Sequence, residues 1–201
     1  MSMTISYEVG NKLYLNITNR CPCSCEFCIR NNGDNAYGSE PLWLEREPEI
    51  DEIIDNLKQR DLQKYEEIVF CGFGEPCERI DDIVSVCRYL KSAGAPKIRL
   101  NTNGLSDLIN ERKTAHLLKD AVDIVSISLN TSSAEEYDKL CHPKFGKLSF
   151  EAILEFASDV KNYVPQVIFS LVDVIPQEQI EQCKAIAQRL SIPLRIRKYD
   201  S

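Results

Sequence analysis

The sequence predicts an α/β fold, a partial (β/α)6 TIM-like barrel that is laterally open and preceded by an N-terminal hairpin strand. Short apolar runs alternate with helical patterns along the chain, which is typical of βαβ units and a parallel sheet. A closed eight-fold barrel usually needs about 250 residues, and this chain has 201. Several predicted strands carry polar side chains on one face. A doubly wound sheet, the competing fold, is covered by helices on both faces and tends to be apolar throughout.

The predicted strands begin with a hairpin within residues 4–18, where Gly10-Asn11 is the turn pair. In its second strand, Leu13, Leu15 and Ile17 alternate with polar residues, so one face is apolar. Asn16 and Thr18 belong to the polar face, which we expect to line the barrel lumen as part of a ligand site. Later strands are predicted at residues 68–71, 97–102, 124–129, 167–174 and 194–198.

The predicted helices fill the intervals between these strands, with apolar residues three and four positions apart. Ser133 followed by Glu136 predicts a capping box at the start of a short helix. The helices are expected to begin near Glu49, Asp81, Lys113, Ser133 and Ser149, with a last one around Ile180–Leu190. We expect a single domain over residues 1–201 and no auxiliary cluster domain.

The composition limits the class of protein. Hydrophobic residues make up 43% and charged residues 27% of the chain, as in ordinary globular proteins. No apolar run approaches the ~18 residues of a membrane span, and the N-terminus is unlike a secretory signal. We therefore expect a cytoplasmic protein whose nine cysteines are reduced. The net charge of −7 argues against a broad nucleic-acid surface but leaves room for a local basic pocket.

Four of the nine cysteines fall within residues 21–28, which we call the cysteine loop. Cys21, Cys25 and Cys28 are spaced as C-x3-C-x2-C. Three thiolates can hold three irons of a [4Fe–4S] cluster and leave the fourth iron open, whereas electron-transfer clusters usually have four cysteines. Cys23 is predicted to be a free thiol. A structural zinc site and a redox pair of Cys25 and Cys28 remain alternatives at this point.

A second motif, residues 69–76, follows the cysteine loop by one βα unit and contains Gly72, Gly74 and Glu75. It is expected at the carboxyl end of a strand, where parallel α/β folds bind ligands. Glycines allow the backbone to approach a ligand closely. The carboxylate and the exposed carbonyls of such a turn suit an amino group.

These motifs together resemble the radical S-adenosylmethionine (SAM) superfamily. The similarity extends to Asn101–Gly104 at the third strand after the hairpin turn and to Ser126–Asn130 at the fourth. More narrowly, residues 16–22, the Gly72–Pro76 turn and Cys141–Gly146 are similar to the TatD-associated radical SAM proteins.

The resemblance implies a [4Fe–4S] cluster and S-adenosylmethionine as cofactors, with Cys21, Cys25 and Cys28 as the cluster ligands. It implies reductive cleavage of SAM to a 5′-deoxyadenosyl radical, which abstracts hydrogen from a substrate. No protein side chain is assigned as catalytic, because the radical is generated on SAM. By resemblance, Gly74 and Glu75 contact the methionine amino group and Ser128 the ribose or carboxylate. The full set of implied cofactor-binding residues is Phe27, Gly72, Phe73, Gly74, Glu75, Asn103, Ser126, Ser128 and Val172.

The substrate is expected in the barrel lumen, where basic side chains favour a small molecule or nucleotide with an anionic group. One alternative is an activase that installs a glycyl radical on a partner protein. Another, from a different class, is a non-enzymatic zinc or iron–sulfur binding module. The predicted substrate contacts are Arg99, Asn101, Asp173, Arg195 and Arg197.

The resemblance also implies a flavodoxin-like or ferredoxin-like reductant as a partner. The name of the TatD-associated family suggests a functional link to a TatD-type metal-dependent hydrolase. This suggestion rests on the family name alone and not on any property of the residues. No membrane partner is expected, and a nucleic-acid partner is left open. Five scattered cysteines are expected to be small buried residues or spare thiols: Cys71, Cys77, Cys87, Cys141 and Cys183.

Overall fold

A single seven-stranded sheet organises the computed structural model, which describes residues 3–199. The first two strands pair antiparallel as a hairpin, and every later pair is parallel. The strands are β1 Ser6–Val9, β2 Lys12–Leu15, β3 Glu67–Phe70, β4 Lys97–Thr102, β5 Ile124–Ser128, β6 Gln166–Val172 and β7 Leu194–Arg197.

Helices connect the parallel strands, as the alternating pattern predicts. One of them, α3, was not expected, because its five residues are too few to show a helical period. A short 3-10 turn, Ala115–Leu118, stands where a helix was predicted near Lys113. The helices are α1 Ile50–Lys58, α2 Ile80–Ser92, α3 Ser106–Asn110, α4 Ala134–Cys141, α5 Leu148–Val160 and α6 Gln177–Arg189.

The order of the strands distinguishes between the two candidate folds. They lie side by side in chain order, from β1 at one edge to β7 at the other. A doubly wound sheet reverses its strand order at a switch point, and no reversal occurs among the described strands. Right-handed crossovers in a sequential order place the helices on one face of the sheet. The prediction of a laterally open barrel is therefore confirmed.

The register between strands aligns polar residues on the face away from the helices. Asn101 of β4 lies opposite Ser126 of β5, and Ser128 lies opposite Ser170 of β6. Ser170 in turn lies opposite Arg195 of β7. These side chains share the concave side of the sheet, since residues paired across strands point the same way.

The starts of two helices follow their sequence signals. The Ser133 hydroxyl accepts a hydrogen bond from the Glu136 amide at 3.3 Å, so one half of the capping box predicted for α4 is present among the described hydrogen bonds. At α1, the Glu49 amide donates to the Glu52 carboxylate at 2.9 Å, which completes a capping box. Such caps satisfy amides that have no partner inside the helix.

Within residues 3–199, no helix has both the length and the apolar character that crossing a bilayer requires.

Leu100 gives a test of the packing between sheet and helices. It is fully buried on β4, whereas Leu148 of α5 is 72% exposed. We expect Leu100→Ala to lower the free energy of unfolding by about 2–5 kcal/mol, because it removes core contacts and leaves a cavity. Leu148→Ala, the matched control, should change it by less than about 0.5 kcal/mol. Urea unfolding of both variants measures this, and equal midpoints would contradict the described burial.

Candidate metal and cofactor site

The cysteine loop leaves the sheet directly after β2, at the carboxyl edge of the parallel strands. Cys21, Cys25 and Cys28 are partly buried, while Cys23 is only 3% exposed. None of the nine cysteines forms a disulfide. The loop contains few hydrogen bonds of its own, one being from the Cys28 amide to the Cys25 carbonyl at 3.1 Å. Its shape therefore depends on contacts with other parts of the chain.

Arg30 contacts the C-terminal part of the cysteine loop. Its Nε donates to the Sγ of Cys28 at 3.4 Å, and its Nη2 donates to the Cys23 carbonyl at 3.3 Å. The guanidinium also lies over the Trp43 ring, 5.6 Å from its centroid, an arrangement that favours a cation. Arg30 thus places a hydrogen-bond donor and a positive charge directly beside the Cys28 sulfur.

The far side of the loop lies against residues 140–144, which comprise the last two residues of α4 and the turn after it. The amide of Ser24 donates to the Cys141 carbonyl at 3.0 Å, and the amide of Glu26 donates to the Leu140 carbonyl at 3.1 Å. The Lys144 amide donates to the Pro22 carbonyl at 2.7 Å. We call residues 140–144 the clamp segment.

Two further thiols, those of Cys23 and Cys141, lie behind the candidate ligands. The hydrogen bond to Cys23 is the largest cause, and burial the next, of a raised pKa at the Cys21 thiol. At Cys25, the largest cause of a raised pKa is the hydrogen bond to Cys141. Thiols that keep their protons this firmly must release them when they bind a metal.

Polar side chains surround these rear thiols. The Tyr137 hydroxyl lies 4.0 Å from the Sγ of Cys23, and Asn103 Nδ2 donates to the same sulfur at 3.8 Å. Asn130 Nδ2 donates to the Sγ of Cys141 at 3.7 Å. Sequence patterns gave no sign of this arrangement, because its members are far apart in the chain.

The glycines of the second motif have a different role from the one expected. A Cβ on Gly72 would lie 2.8 Å from the Cα of Asn16, and one on Gly74 would lie 2.7 Å from the Arg20 carbonyl and closer still to Thr18 O. Such approaches exclude any side chain. The glycines therefore let the turn after β3 pack against the chain that leads into the cysteine loop, rather than against a ligand alone.

Glu75 is buried at 4% exposure and its carboxylate accepts three hydrogen bonds. They come from the Cys77 amide at 3.0 Å, the Thr102 hydroxyl at 2.7 Å and the Asn103 amide at 2.6 Å. Burial raises the pKa of this carboxyl, and the hydrogen bonds, that from Asn103 first, lower it. The Cys77 thiol is a fourth hydrogen-bond partner of this carboxylate.

Other residues implied by resemblance lie around this edge of the sheet. Phe73 is buried against Trp43 with ring centroids 5.1 Å apart, so its side chain belongs to a small apolar cluster. Asn103 directs its amide at the cysteine loop, and Phe27 packs partly buried against the core. Ser126 and Ser128 are half-buried on the concave face, and Val172, at the end of β6, is 7% exposed.

Asn16 and Thr18 are not lumen residues, so that expectation was wrong. Asn16 is fully buried; it donates to the Leu42 carbonyl at 2.7 Å and accepts from the Phe73 amide at 3.2 Å. Thr18 donates to the Glu47 carboxylate. Both side chains hold loops together, since buried polar groups need partners.

The predicted substrate residues separate into two groups. Arg99 and Arg197 both lie near the Cys71 thiol, to which Asn101 is hydrogen-bonded. Asp173 and Arg195 are exposed at the rim, and the Asp173 carboxylate accepts from the Tyr199 amide at 2.7 Å. The structure therefore brings together three of the five.

Within the described chain, three buried lumen atoms have no hydrogen-bond partner. These are Arg99 Nε, Asn101 Oδ1 and Arg197 Nε. Arg99 is otherwise neutralised by Glu67 at 2.7 Å, a carboxylate that the sequence reasoning did not single out and that also binds Lys12 at 2.8 Å. Buried polar groups without partners are uncommon, and they mark the space that a ligand would fill.

No group of three or more His, Cys, Asp or Glu side chains in residues 3–199 is arranged around a single-ion position. That finding concerns one metal ion, whereas each cysteine of an iron–sulfur cluster binds its own iron. The three candidate thiols fit the cluster by donor chemistry.

The fold and this site define a class: an open parallel α/β barrel with a thiol-rich cofactor site at the carboxyl edge of its strands. The chain belongs to the radical SAM superfamily, whose model matches residues 15–190. Members of this superfamily are enzymes that use a [4Fe–4S] cluster and S-adenosylmethionine.

Two curated relatives illustrate the similarity. A probable dual-specificity RNA methyltransferase RlmN from Dictyoglomus turgidum is 30% identical over 168 residues, which is 78% of this chain and 44% of the relative. A GTP 3′,8-cyclase from Lactiplantibacillus plantarum is 31% identical over 128 residues, covering 63% of this chain and 35% of the relative. The chain therefore spans less than half the length of either relative.

A solved structure shows the same fold. SuiB from Streptococcus suis, bound to the precursor peptide SuiA, superposes with a TM-score of 0.72 at 17% identity. The alignment covers 97% of this chain and 40% of SuiB. SuiB has also been solved bound to S-adenosylmethionine, with a TM-score of 0.71.

Gly74 gives a test of the close approach between the two motifs. We expect Gly74→Ala to reduce the free energy of unfolding by about 1–3 kcal/mol, because the added methyl forces backbone apart. It should also lower the iron retained after anaerobic reconstitution, since the cysteine loop shifts. Gly10→Ala, at an open turn with a φ of +59°, is the control and should keep its iron. Full iron retention in Gly74→Ala would contradict the described packing.

Proposed function

We propose that this chain binds a [4Fe–4S] cluster through Cys21, Cys25 and Cys28 and uses S-adenosylmethionine to abstract hydrogen from a small molecule or nucleotide. The observation that supports this is the packing of the Gly72–Glu75 turn directly against the chain leading into the cysteine loop. The thiols and the turn thus share one edge of the sheet. When bound, these cofactors supply a radical strong enough to break a C–H bond.

The chain's own residues would bind and shield the cofactors. We propose that the Glu75 carboxylate and the nearby backbone carbonyls of the turn hold the methionine amino group. Ser126 and Ser128, half-buried on the concave face, would bind the ribose or carboxylate. Phe27 and Val172 would pack on the adenine, while Gly72, Phe73 and Asn103 would contribute backbone or shape to the same surface.

We propose that the substrate carries an anionic group that Arg197 binds. Arg99 is already paired with Glu67, so Arg197 is the lumen cation whose unpartnered Nε supports this role. Asn101 Oδ1 would accept a hydrogen bond from the same substrate. Two relatives are named for RNA and GTP, which both contain phosphates, and this supports a nucleotide. Asp173 and Arg195 would contact only the part of a substrate that projects from the lumen.

We also propose that the chain belongs to the TatD-associated group of the superfamily. The support is the sequence of residues 16–22 and Cys141–Gly146, which the structure places in contact through the clamp segment. A functional link to a TatD-type hydrolase and an external flavodoxin-like or ferredoxin-like reductant would accompany that membership.

Cys25→Ala gives the decisive test of cluster binding. Wild-type protein, reconstituted anaerobically, should hold about four irons with sulfide per chain and form 5′-deoxyadenosine when given dithionite and S-adenosylmethionine. Cys25→Ala should lose most of the iron and the product, because a ligand is gone. Cys183→Ala, which removes a buried thiol from α6, should retain both. One zinc per wild-type chain, or unchanged product in Cys25→Ala, would overturn the proposal.

Arg197→Gln tests the substrate class. With cluster and S-adenosylmethionine bound, labelled GTP should bind the variant about tenfold or more weakly than wild type, since a hydrogen bond to a charged group contributes about 1.5–3 kcal/mol. Arg189→Gln, on the exposed side of α6, should bind GTP normally. Equal affinities of Arg197→Gln and wild type would show that the lumen arginine does not hold the anion.

A further inference from the structure

The lumen has an aromatic side chain beside its polar ones. Tyr14 of β2 lies opposite Val69 of β3, and Val69 lies opposite Arg99 of β4. Residues paired across neighbouring strands point to the same side of a sheet, so Tyr14 shares the concave side with Arg99. Val69 between them is fully buried, whereas Tyr14 is only partly buried. The Tyr14 ring therefore forms part of the surface that borders the lumen.

Tyr7 of β1 supports the ring of Tyr14. The two residues are paired across the hairpin, and their ring centroids are 5.4 Å apart with the planes inclined by 43°. Tyr7 is 7% exposed, and its hydroxyl donates to the Cys71 carbonyl at 3.2 Å. Aromatic pairs at this separation attract each other beyond what their burial contributes. Tyr14 thus stands against a fixed neighbour, as a flat binding surface requires.

Two polar atoms on β4 complete this part of the lumen. Arg99 is paired with Glu67 at 2.7 Å, but its Nε and the Oδ1 of Asn101 have no hydrogen-bond partner among the described residues. One atom is a donor and the other an acceptor, and side chains two residues apart on a strand lie on one face. They therefore match a molecule whose edge carries an acceptor next to a donor.

A nucleobase has both properties that this region would recognise. The flat face of any base can stack on an aromatic side chain, and the edges of bases carry acceptors close to donors. A simple anion such as phosphate has neither property, and an aliphatic amide has the edge without the flat face. The combination of Tyr14 with Arg99 and Asn101 therefore favours a base over either of them.

The position of Arg197 gives such a molecule a direction. Arg197 is the last residue of β7, at the carboxyl edge of the sheet, whereas Arg99 lies in the first half of β4. The Arg99 charge is offset by Glu67, so the uncharged end of a nucleotide suits the deeper region and its phosphates suit Arg197.

We propose that Tyr14, Arg99 and Asn101 form a base-binding subsite in the lumen. The base stacks on Tyr14, its edge bonds to Arg99 Nε and Asn101 Oδ1, and the phosphates extend to Arg197. This inference rests on the proposed function and narrows its substrate to a nucleotide that is held at both ends.

The test compares labelled GTP with labelled inorganic triphosphate, which has the anion without the base, in cluster-loaded protein with S-adenosylmethionine bound. Tyr14→Ala should weaken GTP binding between about fivefold and about 150-fold, the range for one lost base–aromatic stack, and leave triphosphate binding unchanged. Tyr14→Phe keeps the ring and should bind GTP as wild type does. Tyr89→Ala, the control, removes a partly buried tyrosine from α2 and should change neither affinity.

Asn101→Ala gives a second measurement that does not depend on the packing of the hairpin. It should weaken GTP binding by about two- to tenfold, as expected for one lost hydrogen bond, with triphosphate binding unchanged. Arg197→Gln should weaken the binding of both probes, because it holds the phosphates. Iron content and triphosphate binding show whether each variant is folded.

Three outcomes would overturn the inference. The first is wild-type protein that binds GTP no more tightly than triphosphate. The second is an unchanged GTP affinity in Tyr14→Ala and Asn101→Ala, or equal losses in Tyr14→Ala and Tyr14→Phe. The third is equal weakening of both probes in Tyr14→Ala, which would make Tyr14 a purely structural residue.

A failure of the proposed function would give a different result. Triphosphate binding would then be insensitive to Arg197→Gln, or neither probe would bind the wild type, and in the second case the base-binding subsite is overturned as well.

Discussion

The carboxylate of Glu75 holds together the loops that form the site. It receives hydrogen bonds from the turns after β3 and β4, and its own amide donates to the carbonyl of Arg20 at 2.7 Å, just before the first cysteine. Three consecutive strands are thus joined at their carboxyl ends by one residue. Removing a buried acceptor of this kind would leave its donors without partners, which costs more than the hydrogen bonds themselves contribute. The glycines on its N-terminal side are needed because this junction has no room for side chains.

Local periodicity was enough to predict most of the architecture. The alternation of Leu13 and Leu15 with polar residues marked β2, and repeated strand and helix patterns marked the open barrel, because both depend on neighbours in sequence. The interaction partners of Asn16 and Glu67 could not be predicted in this way. Their partners lie many positions away, at Leu42 and Arg99, and a polar residue facing a lumen has the same sequence pattern as one that braces a loop. The cysteine spacing indicated the site, but the thiol behind it, Cys141, required the fold.

Charge in the lumen is distributed unevenly. Glu67 binds both Lys12 and Arg99 near the amino ends of the strands, so the deeper part of the lumen is internally neutralised. Such buried pairs are kept only where further contacts offset the loss of hydration. Arg197, at the opposite edge of the sheet, has no comparable carboxylate partner among the described ion pairs. The lumen is therefore neutralised near Glu67 and keeps an uncompensated positive charge at Arg197, the end at which the proposed anionic substrate would be held.

The pairing of the cysteine loop with the clamp segment also has a consequence for how the protein is made. Glu26 and His142 are 116 residues apart, and ribosomes add roughly 5–20 residues per second, so roughly 6–23 s separate their synthesis. During that interval the four cysteines of the loop lack the hydrogen bonds to the clamp segment that later hold the loop in place. Contacts of such long sequence separation also form slowly. We therefore expect the cysteine loop to take its ligating shape only after α4 has folded.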